Sequence, residues 1–234
     1  MYIYEAAQSP VKLSTKPAER TQTPMARKTK EDALVTRTAL LDAAERLFQH
    51  QGVARTTLQH IAQAAGVTRG ALYWHFQDKS ELFTAMLERV VLPVGDSPAC
   101  TAAAASGPQL PALRLWLQDK MARIASDGHL QRVLDVVLFK SEYVEEMAPA
   151  RALRLKLRTD FRQRLQAPLD RAKEGGELRP SVDPAHAAAG LHALLDGLIQ
   201  DWLLEPDHDL GERGLQAIDL YLAGLAPAAT AARS

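Results

Sequence analysis

Cysteine is almost absent. Cys100 is the single one in 234 residues, so no intrachain disulfide can form and a reducing compartment is its natural setting. A lone thiol in an Ala-rich stretch reads as inert. No apolar run approaches the roughly 18 residues of a membrane helix, and the start of the chain lacks the continuous apolar core of a secretory signal. The expected location is cytoplasmic, with no membrane partner. Net charge is missing too: 28 Lys and Arg balance 28 Asp and Glu, so overall charge points to no polyanion. There is no glycine-rich phosphate loop and no nucleophile elbow. His129, His186, His192 and His208 stand at no metal-ligand spacing. His192 and Asp196, one helical turn apart, read as a packed histidine with a partner rather than a dyad. Pro206-Asp207-His208-Asp209 reads as a solvated turn rather than a metal clasp. Hence no catalytic residue, no cofactor and no metal are expected.

What the chain does have is helical periodicity. Strand-like alternation persists nowhere, no internal repeat is visible, and 47% hydrophobic residues suffice for one sizeable core and a small satellite domain. The fold class is all-α, with about nine helices. Residues 1–28 read as a disordered extension from an upstream start, since Met25-Ala26-Arg27-Lys28 has the look of a chain beginning. Thr29 to Asp32 has the pattern of a capping box for a first helix that Gly52 ends. Thr56 with Gln59, and Asp78 with Glu81, signal two further starts. The stretch Pro93–Pro111 reads as a linker. Five more helices are predicted near 109–127, 129–146, 149–175, 184–204 and 209–226, broken by Gly and Pro signals. The domains expected are a small helical head over 29–94, a larger helical body over 95–226 and a disordered tail over 227–234. Residues 25–94 carry nine Lys and Arg against seven Asp and Glu, a mildly basic head on a mildly acidic body.

The most informative segment is TTLQHIAQAAGVTRGALYWHFQDK, residues 56–79. Leu58, Ile61, Ala62 and Ala65 line one side of a short helix, and Val67, Leu72 and Phe76 one side of the next. Gly66 stands where a helix C-terminus needs a left-handed residue, and Thr68 can cap the second helix. Thr68, Arg69, Gly70, Tyr73, Trp74 and His75 are left outside that core. This is the spacing of a helix-turn-helix whose second helix enters a major groove. Arg69 can reach guanine edges or phosphate, Thr68 bases or backbone, and Gly70 permits close approach. Tyr73 and Trp74 offer apolar surface to sugars and thymine methyls, with a core role open for Trp74. His75, Thr56, Thr57 and Lys79 are candidate phosphate contacts.

Residues 30–94, through the Tyr73-Trp74-His75-Phe76 run and the adjoining Asp78-Lys79, resemble the DNA-binding domain of the tetracycline-repressor family. Phe139 to Tyr143 and Asp196 to Leu203 resemble segments of its multidrug-efflux-pump repressors, although Ser141 stands where those relatives often carry cysteine. The resemblance implies a homodimeric repressor of double-stranded operator DNA, released by small hydrophobic or drug-like effectors. A regulator of a metabolic or stress operon, or a helical interaction protein without operator release, is the alternative. Trp116, Met121, Phe139, Tyr143 and Met147 are candidate effector contacts, with Glu142 as a partner for cationic compounds; ordinary core packing is the other reading of each.

Gly190, Ala193 and Gly197 make a small-residue face on the 184–204 helix, with Leu194, Leu198 and Trp202 around it. A two-fold partner helix or burial within the monomer would cover that face, and the resemblance implies the partner. The basic run from Arg151 to Lys173 keeps an apolar register at Leu153, Leu157, Phe161, Leu165 and Leu169, and reads as a solvated amphipathic face.

Overall fold

The computed structural model describes residues 24–91, 107–142 and 145–227. Expectations for residues 1–23, most of the linker, Tyr143 and the last seven residues lie outside these. The chain divides into two compact units, Met1–Thr36 and Arg37–Ser234. In the first, Thr36 Oγ1 donates to the Asp32 carbonyl one turn back, at 2.9 Å. Among the described residues there are nine α-helices and no strand.

The helices are α1 (Pro24–Gln51), α2 (Leu58–Ala64), α3 (Arg69–His75), α4 (Lys79–Val91), α5 (Gln109–Ser126), α6 (Gly128–Phe139), α7 (Ala148–Glu174), α8 (Pro184–Leu204) and α9 (Leu210–Leu225). Helix α1 opens at Pro24, five residues before the predicted Thr29 cap. Proline suits a first helical position, where no intrahelical N–H bond is lost. Helix α6 stops at Phe139 rather than near 146. There Ser141 Oγ donates to the carbonyls of Val136 and Val137 at 2.7 and 3.1 Å, closing the last turn. A 3₁₀ turn, Glu145–Met147, leads into α7.

Several helix starts are capped by carboxylates, which satisfy backbone N–H groups that have no intrahelical acceptor. Asp127 accepts from His129 and Leu130, Asp183 from His186, and Asp209 from Glu212. Asp209 is thereby occupied as a cap within the turn first weighed as a metal clasp. The backbone N–H of His186 holds the Asp183 carboxyl below its usual range. At the start of α5 the cap comes from far along the chain: Glu177 accepts from the amides of Gln109 and Leu110 at 2.7 and 3.0 Å.

Two apolar cores form within the second unit. One gathers Leu40, Ala44 and Phe48 of α1, Ile61 of α2, Leu72 of α3, Phe83 and Met86 of α4, and Val133 and Val136 of α6. The other joins Trp116, Leu117 and Met121 of α5 to Leu165 and Leu169 of α7, Leu191 and Leu195 of α8, and Ile218 and Leu222 of α9. A bidentate pair, Arg114 to Asp219, ties α5 to α9 at 2.5 and 2.9 Å.

Gly190 is where α8 and α9 approach within one chain. A Cβ built there would clash with Tyr221 Oη, and that hydroxyl donates to the Ala187 carbonyl at 2.8 Å. Gly190→Ala is therefore expected to displace Tyr221 and lower stability by about 1–3 kcal/mol, read from the midpoint of a urea titration. A wild-type midpoint would show that the tyrosine yields freely.

Candidate nucleic-acid interface

The turn between α2 and α3 is built from backbone chemistry. Ala65 ends α2 in helical geometry and Gly66 follows at φ +69°, which a side chain would strain. The amide of Val67 then donates to the Ala62 carbonyl at 3.0 Å and that of Gly66 to Gln63 at 3.1 Å. These two bonds close the C-terminus of α2 as a Schellman motif. Thr68 opens α3, its hydroxyl accepting from the Ala71 amide at 3.1 Å. The predicted turn and cap are both present.

The cap of α2 lies one residue later than predicted. Thr57 Oγ1 accepts from the His60 amide at 3.2 Å, and His60 Nδ1 accepts from the Thr57 amide at 3.5 Å. Thr56 is fully buried; its hydroxyl donates to the Gly52 carbonyl at 2.8 Å and accepts from Gln51 Nε2 at 3.1 Å. It is not a phosphate contact, because no face of its hydroxyl reaches solvent. Lys79 has partners within the chain as well. Its ammonium donates to the carbonyls of Val53, Ala54 and Thr56 at 2.9, 3.4 and 3.3 Å, which engages all three of its protons. Lys79 pins the α1–α2 loop to the start of α4. Asp78 Oδ1 accepts from the Glu81 amide and Glu81 Oε2 from the Gln77 amide, both at 2.7 Å, so two carboxylates already crowd that helix end.

Lys79→Met should thus act through the fold. We expect a loss of about 1–2 kcal/mol of stability, since hydrogen bonds from a charged donor are worth somewhat more than neutral ones. The slope of log affinity against log salt should stay unchanged. A flatter slope in this variant would restore Lys79 to the phosphate contacts.

Helix α3 buries Leu72, with Phe76 buried at its C-cap, and leaves Thr68, Arg69, Gly70, Tyr73 and Trp74 exposed. Trp74 is 74% exposed, so the core reading of this side chain does not hold. Its indole meets the edge of His75 at 4.7 Å between centroids. Arg69 Cζ lies 5.3 Å over the Tyr73 ring, with Nη2 donating to Tyr73 Oη at 3.4 Å, so the two stand as one unit one turn apart. Partial burial, and secondarily the charge of Arg37, hold the His75 pKa below its ordinary value and favour the neutral ring. Arg37 itself sits 5.0 Å over the Phe76 ring from α1, a support that no local pattern announced.

Residues 40–86 match the family described as bacterial regulatory proteins, tetR family, and residues 109–227 match the MAATS-type transcriptional repressor, C-terminal region. The chain belongs to the TetR family. The regulator is 36% identical over 183 residues to the HTH-type transcriptional regulator TtgR of Pseudomonas putida, covering 78% of this chain and 87% of TtgR. Its fold is similar to NalD, the secondary repressor of the MexAB-OprM multidrug efflux pump in Pseudomonas aeruginosa. There the TM-score is 0.76 at 34% identity, covering 85% of this chain and all of that one. It is similar as well to SmeT, repressor of the Stenotrophomonas maltophilia multidrug efflux pump SmeDEF, in a complex with triclosan. That TM-score is 0.71 at 34% identity, over 82% of this chain and 92% of the other. The protein is a DNA-binding transcriptional repressor and not an enzyme. No helix among its described residues is long and apolar enough to cross a membrane.

In the body of the regulator, the predicted effector residues do not gather at one place. Trp116 and Met121 belong to the α5–α9 core, Met147 to the core shared by α1–α4 and α6, Phe139 is half-buried and Glu142 is exposed. What does assemble is an aromatic row. Trp116 stacks on Phe161 of α7 at 5.6 Å and 28°, and Phe161 meets His192 of α8 at 5.5 Å. Lys120, itself buried, holds its ammonium 5.3 Å from the Trp116 ring. The sequence pattern places Phe161 only in an apolar register and His192 only as a packed histidine with Asp196. That second pairing is present, with Nε2 3.6 Å from the carboxylate. Burial pushes the His192 pKa down, Arg158 and Arg162 add to this, and Asp196 opposes it.

The small-residue face of α8 divides in two. Gly190 is used against Tyr221 within the chain, whereas a Cβ built at Gly197 would meet nothing within 4 Å and Ala193 is exposed. Leu194 and Leu198 are half-buried. Trp202 is tied inward, its Nε1 donating to the His208 carbonyl at 3.0 Å. Gly190 and Trp202 thus have monomer roles where the sequence pattern suggests an interface.

Proposed function

We propose that this repressor binds as a homodimer to a palindromic or near-palindromic operator, controls a multidrug efflux operon, and leaves the DNA when a hydrophobic compound binds its body. The exposed face of α3, opposite Leu72 and Phe76, carries this reading. Thr68, Arg69, Gly70, Tyr73 and Trp74 are the base and sugar contacts, Thr57 meets phosphate, and His75 orients Trp74. The head spans residues 29–94 and the body 95–226. A DNA-binding role sets the protein in the cytoplasm. Ala193, Gly197, Leu194 and Leu198 on α8, together with Leu220 and Gly224 on α9, form the dimer surface. Leu220 is 77% exposed and a Cβ built at Gly224 would meet nothing within 4 Å, which leaves this face open to a partner helix.

The effector lies against the row Trp116–Phe161–His192, whose π-faces suit flat aromatic compounds. Glu142, being exposed, is not assigned to it. Release is a population shift: the ligand favours dimers whose two α3 helices no longer meet successive major grooves, roughly 34 Å apart.

The test uses duplex DNA from upstream of the protein's own gene, with triclosan as the first probe. Expected are a dimer in sedimentation at micromolar concentration, salt-dependent specific binding, and release on adding triclosan or a related aromatic. A monomer that binds all duplexes alike would overturn the reading. Specific binding unmoved by a broad panel of aromatic drugs would leave a repressor whose effector belongs to another class.

A further inference from the structure

Glu45 of α1 is a buried carboxylate, its side chain only 4% exposed, and two guanidinium groups and an imidazole converge on it. Arg89 of α4 donates through Nη2 at 3.1 Å, Arg132 of α6 through Nε at 2.7 Å, and His129 of α6 stands with Nδ1 3.0 Å from Oε1. Arg89 reaches Asp42 as well, at 2.6 Å. A cavity of about 410 Å³ opens onto this cluster, lined by Asp42, Glu45, Arg46, His129 and Arg132.

The position of the cluster gives it meaning. Glu45 lies within residues 40–86, matched as the DNA-binding part, while His129 and Arg132 lie within 109–227, matched as the C-terminal part. The apolar core shared by α1, α4 and α6 also joins the two, but hydrophobic contact is non-directional. A carboxylate held by three donors adds directional bonds. The two contacts from α6 fall at its first and second turns, next to the Asp127 cap, so they fix the rotation of that helix against α1.

We infer that the Glu45 cluster is a latch that sets the orientation of the DNA-binding head on the effector-binding body, and thereby sets operator affinity. The inference rests on the operator-binding reading above. Glu45, Arg132 and His129 are positioning residues, since none touches DNA in this scheme. A head released from the latch samples orientations unsuited to the operator, and apparent affinity falls with the fraction that remains competent. The latch is separate from the aromatic row in the body and reachable from solvent, so it also offers a second point at which affinity can be tuned.

The experiment compares Arg132→Met and Arg132→Lys in the full-length protein, after helical content and cooperative melting have been checked. Binding to the upstream duplex is read by fluorescence anisotropy. Arg132→Met should bind about tenfold more weakly, within the range of typical coupling between sites, and Arg132→Lys should keep most of the affinity by restoring one charged donor. Wild-type affinity in the folded methionine variant, or an equal loss in both, overturns the latch. A wild-type protein that binds no upstream duplex defeats the operator reading instead. The latch is then judged by amide exchange over residues 40–51 and 128–139. Faster exchange in Arg132→Met alone supports it, and unchanged exchange overturns it.

Discussion

Leu72→Ala is expected to lower the stability of the head by about 2–5 kcal/mol and to abolish operator binding with it. Helix α3 has seven residues, far too few to hold its shape in water unaided. Leu72 is the buried residue within it, and Phe76 sits just beyond the last turn. Removing the isobutyl group leaves a cavity in the core shared with Phe48, Ile61 and Phe83, and the short helix loses its hold on the domain. Against a typical total of about 5–15 kcal/mol, that loss is severe. The urea midpoint should fall with the slope unchanged, and operator binding should fall with it. A variant that melts like the wild type would mean that Phe76 and the two caps alone dock α3.

Arg69→Ala combined with Tyr73→Ala should leave the fold intact and remove most of the specific affinity. Each truncation alone is worth about 1–3 kcal/mol if it breaks a base contact. The two side chains touch, with Arg69 Cζ over the Tyr73 ring, so the double variant should lose less than the sum of the singles. Arg151→Ala, an exposed cation on α7 outside the head, serves as a control and should bind as the wild type does. Anisotropy at one fixed salt concentration measures the wild type, both single variants, the double variant and the control. Unchanged operator affinity in the folded double variant would remove this face of α3 from the recognition surface.

The features legible in the sequence are local ones. Gly66, Thr68, Leu72 and Phe76 lie within eleven residues, and turn, cap and buried side come from chain chemistry alone. The α2 cap is displaced by one residue because Thr56 and Thr57 both satisfy the pattern. Only the packing of Thr56 under Gln51 and Gly52 decides between them. The tie between Lys79 and the α1–α2 loop is hidden in the sequence because its acceptors lie 23 to 26 residues upstream. Gly190 misleads for the same kind of reason: Tyr221, which fills the space beside it, comes from the next helix. The Glu45 cluster has no signature, since its partners stand 44 to 87 residues away and each alone resembles an ordinary surface charge.

Trp74 gives the molecule a reporter of its own. The chain has three tryptophans, of which Trp116 is buried and Trp202 half-buried, while Trp74 stands in water on the face of α3. With Trp116 and Trp202 replaced by Phe, the remaining emission would come from the recognition helix. Its colour and its accessibility to iodide would track the docking of that helix on a duplex in real time, with no dye attached.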